Sequence, residues 1–133
     1  MERQQGTVLV VEDSPLFRRM LGDKLTEMGF TRIVEAFGGR AAMELLGTER
    51  PDLVCLDLTL PDVSGFDVCE HIRSTPGLEQ VPVLMISART LTLDRAQAEE
   101  AGASGYLTKP FTPEEFRQLV ARVMAARRPT GGA

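Results

Sequence analysis

The chain has 133 residues, 43% of them hydrophobic and 26% charged, so one ordinary globular domain fits, whereas a disordered or fibrous chain does not. Its 15 basic and 19 acidic residues leave a formal charge of −4, which offers no basic footprint for direct binding of DNA or RNA.

The opening MERQQGT has no apolar core behind its charges, and no later run approaches about 18 apolar residues. Neither a signal peptide nor a membrane span is predicted, and a cytoplasmic location is the default. The first strand-sized apolar run is TVLVV, 7 to 11, and Ser14-Pro15 behind it suits the N-cap and first turn of a helix. Phe17, Met20, Leu21, Leu25 and Met28 fall on one face of that helix, and Gly29 is its expected C′ stop.

A second run, IVEA at 33 to 36, is followed by a weaker helix carrying Ala41, Ala42, Leu45 and Leu46. A third, LVCLD at 53 to 57, leads to Ser64-Gly65-Phe66-Asp67, which has the form of a capping box with Asp for the usual Glu, and then to Phe66, Cys69 and Ile72. The fourth run, VPVLMIS at 81 to 87, precedes a thin helical stripe of Leu93, Ala96, Glu100 and Ala101. The fifth, GYLT at 105 to 108, precedes a strong stripe of Phe116, Leu119, Val120, Val123 and Met124. Cys55 and Cys69 form no CxxC pair, and a lone His71 supplies no zinc ligand set, so both thiols are read as reduced and buried and His71 as an outward helical residue.

Strands joined by helical crossovers run parallel, and near-continuous apolar strands need cover on both faces. The fold class is therefore α/β, a three-layer flavodoxin-like sandwich around a five-stranded parallel sheet in the order 2-1-3-4-5. Residues 1–126 form the domain, and 127–133, which carry no periodicity, form a flexible C-terminal tail.

In such sheets chemistry collects at the carboxyl ends of the strands. Those ends carry Glu12-Asp13, Asp57, Ser87-Ala88 and Lys109-Pro110, and the strand order brings Glu12, Asp13 and Asp57 into one crevice. Three crowded carboxylates repel one another, and a hard divalent ion removes the conflict. Mg²⁺, or Mn²⁺ in its place, accepts two carboxylates and a carbonyl, which Asp13, Asp57 and Thr59 can supply, with Glu12 acting through a metal-bound water. Lys109 opposite the metal and the Ser87 hydroxyl suit a dianionic phosphoryl group, and the central Asp57 is the expected nucleophile.

With these residues in place, the sequence resembles the receiver domains of two-component response regulators from residue 7 to about 126. The likeness is carried by VLVVEDSP, DLVCLDLTLPDVSG, VLMISA and GASGYLTKPF. The resemblance implies metal binding by Glu12, Asp13, Asp57 and Thr59, phosphorylation of Asp57, and phosphoryl contacts from Ser87, the Ala88 amide and Lys109. It also implies a rotamer change of Tyr106 coupled to Ser87, and a cis Lys109-Pro110 bond. The implied partners are a histidine kinase or phosphotransfer protein upstream and a protein effector downstream, with the chain a monomer or weak dimer and a stand-alone regulator. The readout face would be the fourth and fifth helices with the fifth strand, offering Leu91, Tyr106 and Phe111. Thr59 and Arg89 would gate the water that removes the phosphoryl group. Two departures from the family pattern are Ser64, where an acid or Asn is common, and a GASGY segment without acids before the aromatic residue.

Two other functions compete. A pseudo-receiver, acting as a phosphorylation-independent interaction module, should have lost an acid, the acceptor or the lysine, and all are present. An aspartyl-phosphate phosphohydrolase needs a general acid beside the nucleophile, whereas the residue two beyond Asp57 is Thr59. The expectation is thus no enzyme, beyond catalysis of its own phosphoryl transfer and autodephosphorylation.

Overall fold

The computed structural model describes residues 5–88 and 92–126, apart from the side chains of Thr92 and Leu93. The predicted tail 127–133, and Arg89 and Leu91, lie outside the described residues. Strands and helices alternate as β1 (Thr7–Val11), α1 (Pro15–Glu27), β2 (Arg32–Ala36), α2 (Gly39–Leu45), β3 (Leu53–Asp57), α3 (Gly65–Arg73), β4 (Val83–Ser87), α4 (Thr92–Ala101), β5 (Gly105–Thr108) and α5 (Pro113–Ala126). The sheet is parallel throughout, in the order β2-β1-β3-β4-β5. This is the predicted fold, with β4 starting two residues later than its apolar run.

Side chains alternate between the two faces of each strand, so the core divides by parity. Val8, Val10, Leu53, Cys55, Leu84, Ile86 and Leu107 pack with α1 and α5, through Leu21, Leu25, Phe116 and Val120. Leu9, Val11, Val54, Leu56, Val83 and Met85 pack on the opposite face, with Ala42, Val68, Ile72 and Ala98 from α2, α3 and α4.

Local chemistry fixes the helix ends. Ser14 caps α1 by accepting from the Phe17 amide at 3.2 Å, and Gly29 follows α1 with a φ of 111°, a conformation that glycine adopts without a side-chain clash. Ser64 caps α3, but its hydroxyl accepts from Phe66 at 3.0 Å while the Asp67 amide bonds the Ser64 carbonyl. The cap therefore closes one residue earlier than a capping box. The reciprocal box is found instead at α5, where Thr112 N donates to Glu115 at 2.8 Å and Glu115 N donates to Thr112 Oγ1 at 3.0 Å.

The α4 stripe needs correction: Ala96 and Glu100 are exposed, the Leu93 side chain lies outside the described residues, and among the described side chains the inward ones are Asp94, Ala98 and Ala101. With so few large apolar residues in this helix, periodicity had little to mark the inner face, and packing on β5 and α3 sets its rotation.

Burial pushes the Cys55 thiol up to about 12 and Cys69 to about 11, so both stay protonated at neutral pH. Native protein at pH 7.5 should therefore resist iodoacetamide at both cysteines, and guanidinium-unfolded protein should be alkylated at both, as read by intact mass.

Candidate functional site

Parity also builds the site. Continuing the alternation that buries Val8 and Val10, Cys55 and Leu107, the next residues on the α1/α5 side are Glu12, Asp57 and Lys109. All three leave the sheet at its carboxyl edge. The Lys109 ammonium donates to Glu12 Oε1 at 2.8 Å and lies 3.4 Å from Asp57 Oδ2, joining chain segments 97 and 52 residues apart. Asp13 completes an acidic group in which Glu12, Asp13 and Asp57 each offer an oxygen, all within 4.8 Å of one another.

Glu12 is buried at 2% exposure and Asp57 at 8%, whereas Asp13 is open to solvent. Glu12 is held from several sides. Its amide donates to the Ala36 carbonyl at 3.0 Å, its carbonyl accepts from Arg18 at 2.7 Å, and its second carboxylate oxygen accepts from the Ser14 amide at 3.4 Å. Asp57 Oδ1 accepts from the Thr59 amide at 3.2 Å, so the exposed Thr59 turns its backbone around the carboxylate.

Gly65 sets the far wall, because a Cβ there would lie 2.5 Å from the Asp57 carbonyl oxygen and 2.8 Å from Leu58 Cα. Both are backbone atoms, so only glycine lets the start of α3 approach so closely. Its amide donates to the Leu58 carbonyl at 2.8 Å.

Ser87 is buried at the end of β4, one residue past Ile86, which is in register with Asp57, and Ala88 beyond it is exposed. The Ser87 carbonyl accepts from the Lys109 amide at 2.7 Å, so the two strand ends are bonded through their backbones. Tyr106 is half-buried on the other face of β5, with the Arg95 guanidinium 4.9 Å from its ring centroid. Arg95 also donates to Thr108 Oγ1 at 3.1 Å. The Lys109-Pro110 bond is cis, as the resemblance implied.

The electrostatics show an acid cluster with too little positive charge. The Asp13 carboxyl is held above the usual carboxylate range, first by its hydrogen bond with Glu12, then by desolvation and by the Glu12 charge. Burial alone would lower Lys109, but the Glu12 hydrogen bond and the Asp57 and Glu12 charges hold it above the usual lysine value. A raised lysine stabilises the fold throughout the neutral range and loses that effect only as pH rises through its folded value. The raised Asp13 carboxyl has the same sign in a lower window: its protonated form favours the fold, and that contribution is lost as pH rises from its unfolded value through its folded one. Hard oxygen donors at this spacing, one of them resisting ionisation, fit a divalent cation such as Mg²⁺.

Three features escaped the sequence reading. Lys109 pairs directly with Glu12, a contact that the sequence reading does not include. Lys109 also lies over the Phe17 ring. Asp62 caps α2 from a distance, accepting from the Gly39 and Arg40 amides at 2.9 and 3.0 Å, and the Arg40 and Gly39 amides hold its carboxyl below the usual range. The short α2 has no capping side chain of its own, and that absence was the available signal.

Replacing one member of the cluster should move stability in opposite directions. Without divalent ions at pH 7, Asp13→Asn should raise Tm by roughly 2–5 °C by removing repulsion. Lys109→Met should destabilise by about 1–3 kcal/mol by leaving Glu12 and Asp57 uncompensated. Calorimetric melts of the two variants in a chelator check both signs.

Comparison with known proteins agrees with this geometry. The family description "Response regulator receiver domain" matches residues 8–121. The chain is 43% identical over 127 residues to the transcriptional regulatory protein KdpE of Mycobacterium tuberculosis, covering 95% of this chain and 53% of that protein. It is 41% identical over 128 residues to the DNA-binding response regulator MtrA of Mycolicibacterium smegmatis, covering 96% and 53% respectively. The chain thus spans about half the length of these curated relatives. Among solved structures, chemotaxis protein CheY4 of Vibrio cholerae superposes with a TM-score of 0.84 at 29% identity, covering 90% of this chain and 99% of that one. The receiver domain of sensor histidine kinase PA1611 from Pseudomonas aeruginosa, with magnesium coordinated in its active-site cleft, gives 0.82 at 26% identity, covering 92% and 100%. By sequence, strand order and the matched span, this chain belongs to the receiver domain family of two-component response regulators.

Proposed function

We propose that the chain is a phosphorylation-controlled switch in a two-component relay, with Asp57 accepting a phosphoryl group from a histidine kinase or phosphotransfer protein in the cytoplasm. The observation that carries this reading is the Asp57 carboxylate lying in one crevice with Glu12, Asp13 and the Lys109 ammonium. An Asp57 oxygen attacks phosphorus, the bond from phosphorus to the donor imidazole nitrogen breaks, and the electron pair leaves with the imidazole. The negative charge spread over the phosphoryl oxygens is met by Lys109, by the Ser87 hydroxyl and by the Ala88 amide.

Asp13, Asp57, Thr59 and Glu12 are the residues suited to hold Mg²⁺ or Mn²⁺, directly or through water. When bound, the ion supplies positive charge against the phosphoryl oxygens. Lys109 keeps its proton throughout, its raised pKa favouring the ammonium.

Phosphorylation then acts as a population shift. The new dianion attracts Ser87 and Lys109, whose strand ends are already bonded through Lys109 N and Ser87 O, and Tyr106 and α4 respond on the far side of the sheet. The output surface is α4, β5 and α5, where Tyr106 and Phe111 are half-buried apolar groups available to a protein effector. Residues 1–126 act as the receiver, a monomer or weak dimer, and the chain's only catalysis is its own phosphoryl transfer and autodephosphorylation. With Thr59 two beyond the acceptor, no acid is placed there to turn over external phosphate esters.

Incubation with Mg²⁺ and acetyl phosphate should add one phosphoryl group to the wild type by intact mass, and none to Asp57→Asn or to chelated protein. An unmodified wild type, or an equal adduct on Asp57→Asn, would contradict the assignment. Thr59→Ala should change the lifetime of the adduct several-fold while changing stability by no more than an ordinary surface substitution, about 0.5 kcal/mol. An unchanged lifetime would remove Thr59 from the gate.

A further inference from the structure

The Lys109 side chain has a third neighbour that the acid cluster does not explain. Its Nζ lies 4.2 Å from the centroid of the Phe17 ring, so the ammonium sits between two carboxylates and the face of an aromatic residue. A ring face is the negative end of the aromatic quadrupole and attracts a cation, most strongly where water is limited. Only 23% of the Lys109 side chain is exposed, so water is limited here.

Phe17 is itself firmly placed. Its amide donates to the Ser14 cap, and its ring meets Phe111 edge to face, at 6.0 Å and 84°. Phe111 stacks on Phe116 at 5.7 Å and 22°, and Phe116 is fully buried. A continuous column of three rings therefore runs from the core between α1 and α5 up to the ammonium. Lysine is a point charge on a flexible stem, so two carboxylates on one side leave it free to swing towards solvent. The ring closes that side without adding a hydrogen bond to be broken.

We propose that Phe17 is a positioning residue that holds the Lys109 ammonium over Glu12 and Asp57 through its ring face, and thereby sets the rate at which Asp57 gains a phosphoryl group. The proposal rests on the phosphoacceptor reading of Asp57 above. A leucine at this position would still pack against α5 but would present no quadrupole, whereas tyrosine would retain the ring.

The chain contains only two lysines, Lys24 and Lys109, so their ε-methylene protons give two NMR signals, one of which serves as an internal reference. In full-length wild type and in Phe17→Tyr, ring current should move the Lys109 pair upfield of Lys24, and in Phe17→Leu that displacement should vanish. With acetyl phosphate and saturating Mg²⁺, the maximal phosphorylation rate of Phe17→Leu should fall about 3- to 30-fold, with recovery in Phe17→Tyr and little change in half-saturating donor concentration. Melting curves of all three proteins separate loss of fold from loss of position.

An undisplaced Lys109 signal in the wild type overturns the proposal. So does a displaced signal whose loss in Phe17→Leu leaves the rate unchanged, and so does a fall in rate that Phe17→Tyr does not reverse. A wild type that takes up no phosphoryl group defeats the function on which the kinetic half rests, and the two lysine signals still report separately whether Phe17 places the ammonium.

Discussion

One ammonium shared between two carboxylates organises this molecule. Lys109 reaches Glu12 at 2.8 Å and Asp57 at 3.4 Å, and each partner stands at the end of a different strand. Without that cation the carboxyl edge of the sheet would present Glu12, Asp13 and Asp57 to one another with nothing to balance them. With it, the edge remains short of positive charge, as the raised Asp13 carboxyl records. Three acids facing one cation could thus hold a divalent ion.

Side-chain alternation divides the residues of the edge between two layers. Glu12, Asp57 and Lys109 share the parity that faces α1 and α5, while Tyr106 packs with the opposite face, where Arg95 of α4 covers its ring. β4 and β5 join the two layers, since the Lys109 amide is bonded to the Ser87 carbonyl. In the proposed switch, charge changes on one side of the sheet and the responding surface lies on the other, and the backbone of these two strands is the short connection between them. Gly65 serves the same compactness by admitting the start of α3 to the Asp57 backbone.

Most of the architecture was legible because its three central strands, β1, β3 and β4, are buried on both faces and so read as short apolar runs, and because α1, α3 and α5 carry clear stripes. Crossover connectivity then restricts the order, and the strand-end rule gathers the acids, Ser87 and Lys109 from the sequence alone. The inner face of α4 was not legible, since its described inward side chains are two alanines and an aspartate, and packing, not periodicity, sets its rotation. Nor was the pairing of Lys109 with Glu12, which depends on the registers that run from β1 through β3 and β4 to β5 and on the reach of a long side chain. The ring of Phe17 was read correctly as part of the inner stripe of α1, but a helical stripe does not reveal that its first aromatic lies under a charge arriving from β5. The missing capping side chain of α2 marked an unfilled N-terminus, but nothing in the loop singled out Asp62, 23 residues on from Gly39, as the residue that fills it.

Calorimetric titration with Mg²⁺ shows whether the three acids form one cation site that Lys109 alone leaves undercharged. Such a site binds one ion per wild-type chain and loses roughly tenfold or more in affinity in Asp13→Asn. Equal stoichiometry and equal affinity in the two proteins would contradict it.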